Sequence, residues 1–399
     1  MLSHAKRLTH LAGSAVSALT TLPRAPADAM GVSCTRFEAR DWRTLDEAAI
    51  AMWDDLAQAT VEPNPFYESW YLLPSLRLFD PNGEVELLCL EAEGRLVGLL
   101  PLRRERRYYG HPLPHWRNWL HANMFLGSPL VARGFEAAFW REALDWCDHN
   151  TGTGLFLHLA QQPGEGPLAS ALARVLDEAR RGAATVIHEE RAMLRSRLTA
   201  EAYLEQSLGG KKRKELRRQQ RRLGEEGELT VLRSSDTDNI DAWAEEFLEL
   251  EGSGWKGEAG SALTCEFATR ILFAEALEGA ARRGRLERLA VRLDGKPLAM
   301  LASFLCPPGA FSYKTAFNED FARFSPGVLL QCENLALLAR PEIQWTDSCA
   351  AADHPMIDHI WRERRAIAGH NLAIGGTARR LLFRALAVRE TGFSAGGIQ

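Results

Sequence analysis

Phe311-Ser312-Tyr313-Lys314-Thr315-Ala316-Phe317-Asn318 leads, a few residues on, into Phe324-Ser325-Pro326-Gly327-Val328-Leu329-Leu330. The first stretch is rich in aromatic residues and reads as a strand over Phe311–Ala316. A polar loop follows, then an abrupt helix start. Ser325 suits the N-cap, and Pro326 suits the first helical position, where a missing N–H costs nothing. The helix is expected to run to Arg340 and to stop at Pro341. Its free first-turn N–H groups and its dipole make a ready phosphate site. Gly327 has no side chain to block an anion, Val328 shares the turn, and Arg323 can add a charge-assisted bond. A plain capped helix accounts for the same residues without any ligand.

Working outward, Glu342–Asp347 reads as the next strand. Upstream, Arg288–Leu293 and Pro297–Leu305 form a hairpin across Asp294-Gly295, a strong turn signal. Glu266–Arg283 and Asp238–Glu251 read as helices, the latter capped by Asp236 or Asp238. Leu229–Arg233 is a strand, and Glu201–Glu226 a very basic helix. The first half repeats the theme. Helices are expected at Asp46–Leu56, Phe135–His149 and Pro167–Arg180. Strands are expected at Glu84–Glu91, Leu96–Arg103 and Leu155–Leu159, with short ones within Asn118–Val131. The Glu-Gly-Arg turn of the first hairpin and the Asp-Gly-Lys turn of the second stand at comparable places. The chain therefore reads as mixed α/β in two halves, 34–195 and 196–399, behind a leader, 1–33, left out of the fold.

Composition narrows the function. Of 399 residues, 46% are hydrophobic and 25% charged, the profile of an ordinary globular protein. A net charge of −4 gives no general pull toward nucleic acid or membranes. No stretch approaches ~18 uninterrupted apolar residues, so no membrane span is expected. The seven cysteines are scattered, with no C-x-x-C pair, so neither a zinc site nor a disulfide framework is indicated. A cytoplasmic location with reduced thiols follows as the expectation. The segment 211–222 holds eight Lys or Arg. A solvated face is its plain reading. If it has a partner, that partner is anionic, and peripheral membrane contact is one form of it.

Several motifs stand in a telling order. They are Lys211-Lys212-Arg213-Lys214-Glu215-Leu216-Arg217-Arg218, Leu250-Glu251-Gly252-Ser253-Gly254-Trp255-Lys256-Gly257, Ser261-Ala262-Leu263, Leu293-Asp294-Gly295-Lys296-Pro297, Tyr313-Lys314-Thr315-Ala316-Phe317 and Ser325-Pro326-Gly327. In this order and spacing the second half resembles the GNAT-like acetyltransferases found with bacterial cellulose and exopolysaccharide genes, relatives of the tandem-GNAT Fem peptidyltransferases. The resemblance covers roughly 197–367, with a weaker match from about Trp42. It implies two GNAT-like halves in tandem, each a twisted, mostly antiparallel sheet flanked by helices. It implies an acyltransferase using acetyl-CoA or another acyl-CoA, with no metal. The acceptor would be a small molecule or glycan, such as a sugar, an amino sugar or a polysaccharide precursor. One departure stands out: Arg323-Phe324-Ser325-Pro326-Gly327-Val328 replaces the usual R/Q-x-x-G-x-G/A pyrophosphate signature.

Direct attack of an amine or hydroxyl on a thioester needs a base, a grip on the carbonyl and a proton for the leaving thiolate. Glu251, at a helix end beside a Gly-rich turn, is one candidate base. His354, next to Asp353, is another, since histidine titrates in the right range. Lys314 can polarise the carbonyl, and in the Fem relatives a lysine in a comparable strand is linked to catalysis. Tyr313 points to the opposite face of that strand. Trp255 and Lys256, after Gly252 and Gly254, suit an acceptor-binding lid, with Tyr313 and Asp353 as further acceptor contacts. Each has a bland reading beside it: helix-end cap, edge-strand lysine or core tryptophan. Two other functions stay open. One is a Fem-like transferase that takes its donor from aminoacyl-tRNA, although 201–229 is too short for the long helical arm of that group. The other is a degenerate scaffold that only binds.

Overall fold

In the computed structural model, residues 35–354 and 356–392 are described. The expected leader and the extreme C-terminus lie outside them. β1 (Thr35–Asp41) precedes α1 (Glu47–Ala59), whose cap is Asp46 accepting the Ala49 N–H at 2.8 Å. Next come α2 (Ser69–Phe79), β2 (Glu86–Ala92), β3 (Arg95–Glu105), β4 (His115–Asn118) and β5 (Leu130–Val131). α3 (Glu136–His149), β6 (Phe156–Pro163), α4 (Pro167–Glu178) and β7 (Ala183–Leu194) complete the first run. The second run holds α5 (Ala200–Ser207), α6 (Gly210–Glu226), β8 (Leu229–Ser234), α7 (Ile240–Gly252), α8 (Trp255–Glu258) and α9 (Phe267–Arg282). β9 (Leu286–Leu293), β10 (Lys296–Cys306), β11 (Gly309–Phe317), α10 (Pro326–Asn334), β12 (Trp345–Asp347), β13 (Glu363–Ala373) and α11 (Thr377–Thr391) follow.

The fold is mixed α/β, with a mostly antiparallel sheet flanked by helices. All its strands join one sheet, ordered β1-β2-β3-β4-β6-β13-β7-β12-β11-β10-β9-β8, with β5 on β3. Inward from either edge the order matches: β1, β2, β3, β4, β6 and β8, β9, β10, β11, β12. Each run has one parallel pair, β4 with β6 and β11 with β12. The centre departs from chain order. β13 lies beside β6, and β7 lies beside β12. Each run thus ends on a strand set against the other run. The two hairpin turns also correspond. Ala92 pairs with Arg95 across Glu93 and Gly94, and Leu293 with Lys296 across Asp294 and Gly295. All four turn residues have positive φ, the type I′ geometry that matches strand twist.

Several local expectations are corrected. The basic helix is two helices, broken at Leu208-Gly209. α7 is capped by left-handed Asn239, and Asp236 instead pairs with Arg288 at 2.6 Å. α10 ends at Asn334 and continues to Ala339 only as tighter 3₁₀ turns, so the helix stops well short of Pro341. Ser325 stands at the cap position, but in a left-handed conformation and without a side-chain cap bond. Among the described residues no helix is long and apolar enough to cross a membrane.

Candidate functional site

β11 pairs with β12 only from Gly309–Trp345 to Phe311–Asp347. β12 then ends while β11 runs on to Phe317. A wedge opens along Ser312–Phe317, and the loop after β4 in the first half reaches into it. The Lys314 ammonium donates to Asn123 Oδ1 at 2.7 Å and stands 5.1 Å from the Phe125 ring centroid. Burial pulls its pKa down to about 8, against a partial offset from Glu251. A largely buried lysine drawn toward neutrality is a mark of a functional site.

A polar network radiates from Lys314. Tyr71 Oη donates to the Asn123 carbonyl at 2.6 Å, which leaves Tyr313 Oη as donor to Tyr71 Oη at 3.1 Å. Burial holds both phenols above their ordinary value, so neither ionises near neutrality. His121 Nδ1 accepts the Asn123 N–H, and its Nε2 lies 3.1 Å from Ser75 Oγ. Burial, with Lys314 nearby, lowers its pKa to about 3. That imidazole is a neutral spacer.

The loop after α7 closes the other side. Glu251 is buried with both oxygens committed, Oε1 to Lys256 Nζ at 2.7 Å and Oε2 to the Leu263 N–H at 2.9 Å. Lys256 also donates to the Thr315 carbonyl at 3.3 Å, tying this loop to β11. The carboxylate that the sequence proposed as a base is thus engaged at both oxygens in this structure. His354 keeps Nδ1 unbonded and out of solvent. Burial lowers its pKa, with Asp358 opposing and Lys256 adding, so the ring is neutral at pH 7. Lys256 lies within electrostatic reach of both His354 and Lys314.

The other predicted positions lie apart from Lys314. Trp255 is 54% exposed, and its N–H donates to Glu319 Oε1 at 2.7 Å. Asp353 is exposed in a left-handed turn. Arg323 points outward, pairs with Glu226 at 3.1 Å and lies over the Phe324 ring. Val328 packs against the cluster holding Ile357 and Trp361. At the start of α10 the Val328 and Leu329 amides both close onto the Ser325 carbonyl. Met356 covers Gly327: a Cβ there would meet its Sδ at 2.2 Å. A diphosphate therefore fits this turn only once Met356 is displaced. The expectation that Gly327 lies open to an anion is corrected.

Sequence reading missed Tyr71, His121, Asn123 and Phe125, which belong to the other half, and the ion cluster that joins the halves. Asp347 is fully buried between Arg191 at 2.6 Å and Arg365 at 2.7 Å, and accepts the Cys349 N–H. Burial opposes its charge, yet the two guanidinium groups hold the carboxyl below its usual range. The dense aromatic and polar run Trp119-Leu-His-Ala-Asn-Met-Phe125, unusual for a loop, was the available signal.

Comparison with known proteins now bears on this geometry. Residues 210–354 match the family described as "Acetyltransferase (GNAT) domain". The matched segment lies in the second half. It contains β11, the wedge, α10 and the loop after α7. FemX is similar to the chain as a whole, with TM-score 0.53 and 10% identity over 85% of this chain and 98% of that one. A conserved protein of unknown function from Bacteroides thetaiotaomicron is similar at TM-score 0.53 and 11% identity, over 85% of this chain and 100% of that one. At such identities these likenesses speak for the fold alone. No curated protein matches the sequence significantly. The chain thus pairs a GNAT-domain match at 210–354 with an overall fold like that of FemX.

Proposed function

We propose that the protein transfers an acyl group from a thioester, acyl-CoA by preference, to a small acceptor in the wedge between β11 and β12. The observation that carries this is Lys314: a largely buried ammonium, aimed by Asn123, with its pKa near 8. A bound thioester would supply the activated carbonyl. Lys314 then donates to the oxygen on which negative charge develops, where a preorganised donor in a dry site is most effective. His354, neutral and with Nδ1 uncommitted, takes the proton that the acceptor amine or hydroxyl loses as the new C–N or C–O bond forms. The same proton can serve the thiolate released as the C–S bond breaks. Glu251 and Lys256 are positioning residues that hold the loop after α7 against β11. The donor's phosphates are assigned to the α10 turn, with Met356 displaced.

The test is calorimetric titration with acetyl-CoA, coupled to an assay for free thiol against a panel of amino sugars and sugar acids. Saturable binding with thiol release supports the reading, and no binding at millimolar donor defeats it. One observation favours a second reading, donation from aminoacyl-tRNA. α6 presents exposed cations and packs on the segment before α10, with Gln219 donating to the Arg323 carbonyl. Tight tRNA binding that weakens steeply with salt would select it. A catalytically silent scaffold is the outcome if K314A leaves every cellular function intact.

A further inference from the structure

A cleft of about 460 Å³ lies on the first-half side of the wedge and shares His121, Phe125 and Cys349 with the surroundings of Lys314. Its walls carry Arg117 from β4, Gln161 from β6, and Glu189 and Arg191 from β7. The Arg117 side chain forms no hydrogen bond or ion pair with any described residue, and its Nε is sealed from solvent. Arg191 is nearly buried. Its terminal nitrogens serve the Phe125 carbonyl and Asp347, but its Nε is likewise sealed and unbonded. Guanidinium donors withdrawn from water without acceptors are costly to a fold unless something else satisfies them. Gln161 stands on the same wall in a left-handed backbone conformation (φ 54°), uncommon for a residue with a side chain. Strain and unspent cationic donors lining one cleft are marks of a ligand site. Glu189 is exposed there without an ion pair, a single opposing charge at the rim.

We propose that this cleft holds the acceptor, and that the acceptor carries an oxyanion, a phosphate monoester or carboxylate, gripped by the Arg117 guanidinium, with Arg191 behind it adding positive charge. A guanidinium fork matches both groups geometrically. The acceptor's nucleophile then points past Phe125 toward Lys314. Glu189 limits the site to one anionic group and faces a hydroxyl or ammonium elsewhere on the ligand. The acceptor is accordingly a small anionic metabolite and not a neutral glycan. The placement of the nucleophile rests on the acyl-transfer reading; the binding does not.

The two are separable by titrating glucose 6-phosphate, glucuronate and glucose calorimetrically, with no acyl donor present. The expected result is binding of one or both anions and none of glucose; which anion binds tells phosphate from carboxylate. R117Q should weaken that binding about tenfold or more, the value of a lost charged hydrogen bond. Because the Arg117 side chain has no hydrogen-bond or ion-pair partner among the described residues, this variant should fold normally, as circular dichroism would show. E189Q should strengthen binding about twofold to threefold by removing a nearby like charge. Anions that bind no better than glucose, or R117Q and E189Q titrations that match wild type, overturn the inference. Arg117-dependent anion binding without thiol release leaves it standing and removes the acyl-transfer reading instead. Thiol release on neutral acceptors, undiminished in R117Q, does the reverse.

Discussion

Two wedges sit at corresponding places in this sheet, and only one is open. In the first half, β4 and β6 pair in parallel at Trp116–Leu157 and Arg117–His158. Just beyond, the Asn118 carboxamide stitches them together. Its oxygen accepts the Ala160 N–H at 2.7 Å, and its nitrogen donates to the Ala160 and Gly127 carbonyls at 2.9 and 3.0 Å. Gln162 adds bonds to the same two carbonyls. Gly127 is required there, because a Cβ would come within 2.3 Å of the Ala160 carbonyl oxygen. In the second half, β11 and β12 part after Phe311–Asp347, and what faces the gap is a lysine of lowered pKa. The same topology thus yields a sutured joint in one run and a reactive opening in the other. The first half contributes a loop that aims Lys314 and a cleft beside it.

The comparison is most easily broken at the lysine. K314A should lower kcat by about 10²–10³, the usual loss for one oxyanion donor, with the circular-dichroism spectrum unchanged. An equal loss from N118A at a temperature where that variant is folded would show that the halves do not differ in role. The predicted cost of N118A lies in stability, roughly 3 kcal/mol by urea midpoint, because buried Ala160 and Gly127 groups lose partners. The pH dependence sharpens the contrast. If the ammonium is the working form, turnover should fall as pH rises through about 8. Stability moves the other way. The lysine's folded pKa lies below its unfolded one, so the unfolded chain binds more protons between about 8 and 10.5, and this group favours folding increasingly across that window. K314M should abolish both trends, which melting curves and rate profiles at several pH values would reveal. The smallest effect is expected from M356A. Unroofing Gly327 should lower KM for acetyl-CoA by about twofold to fivefold, leaving kcat alone.

Much of this was legible in the sequence, for local reasons. The paired hairpin turns follow from Glu-Gly and Asp-Gly, and α3 from its apolar spacing. Lys314 drew attention as a cation in an aromatic strand, and it is where the network centres. What sequence could not supply was long-range. β7 and β13 mix charged and apolar residues, as in His188-Glu-Glu-Arg191 and Glu363-Arg-Arg365, and neither was expected as a strand. Their place at the centre of a shared sheet is a tertiary fact. Asn123 meets Lys314 from 191 positions away, and Asp347 draws Arg191 from 156. Glu251 was readable as important but not in its role, because its partners lie in the loop that folds back over it.

Hydrogen exchange read by mass spectrometry, with and without saturating acetyl-CoA, tests the central claim most directly. The account predicts slowed exchange in 312–317 and 325–330, a changed rate at Met356, and no change at Asn118, Gly127 or 160–163. Protection confined to the first-half wedge, or absent from both, would contradict it.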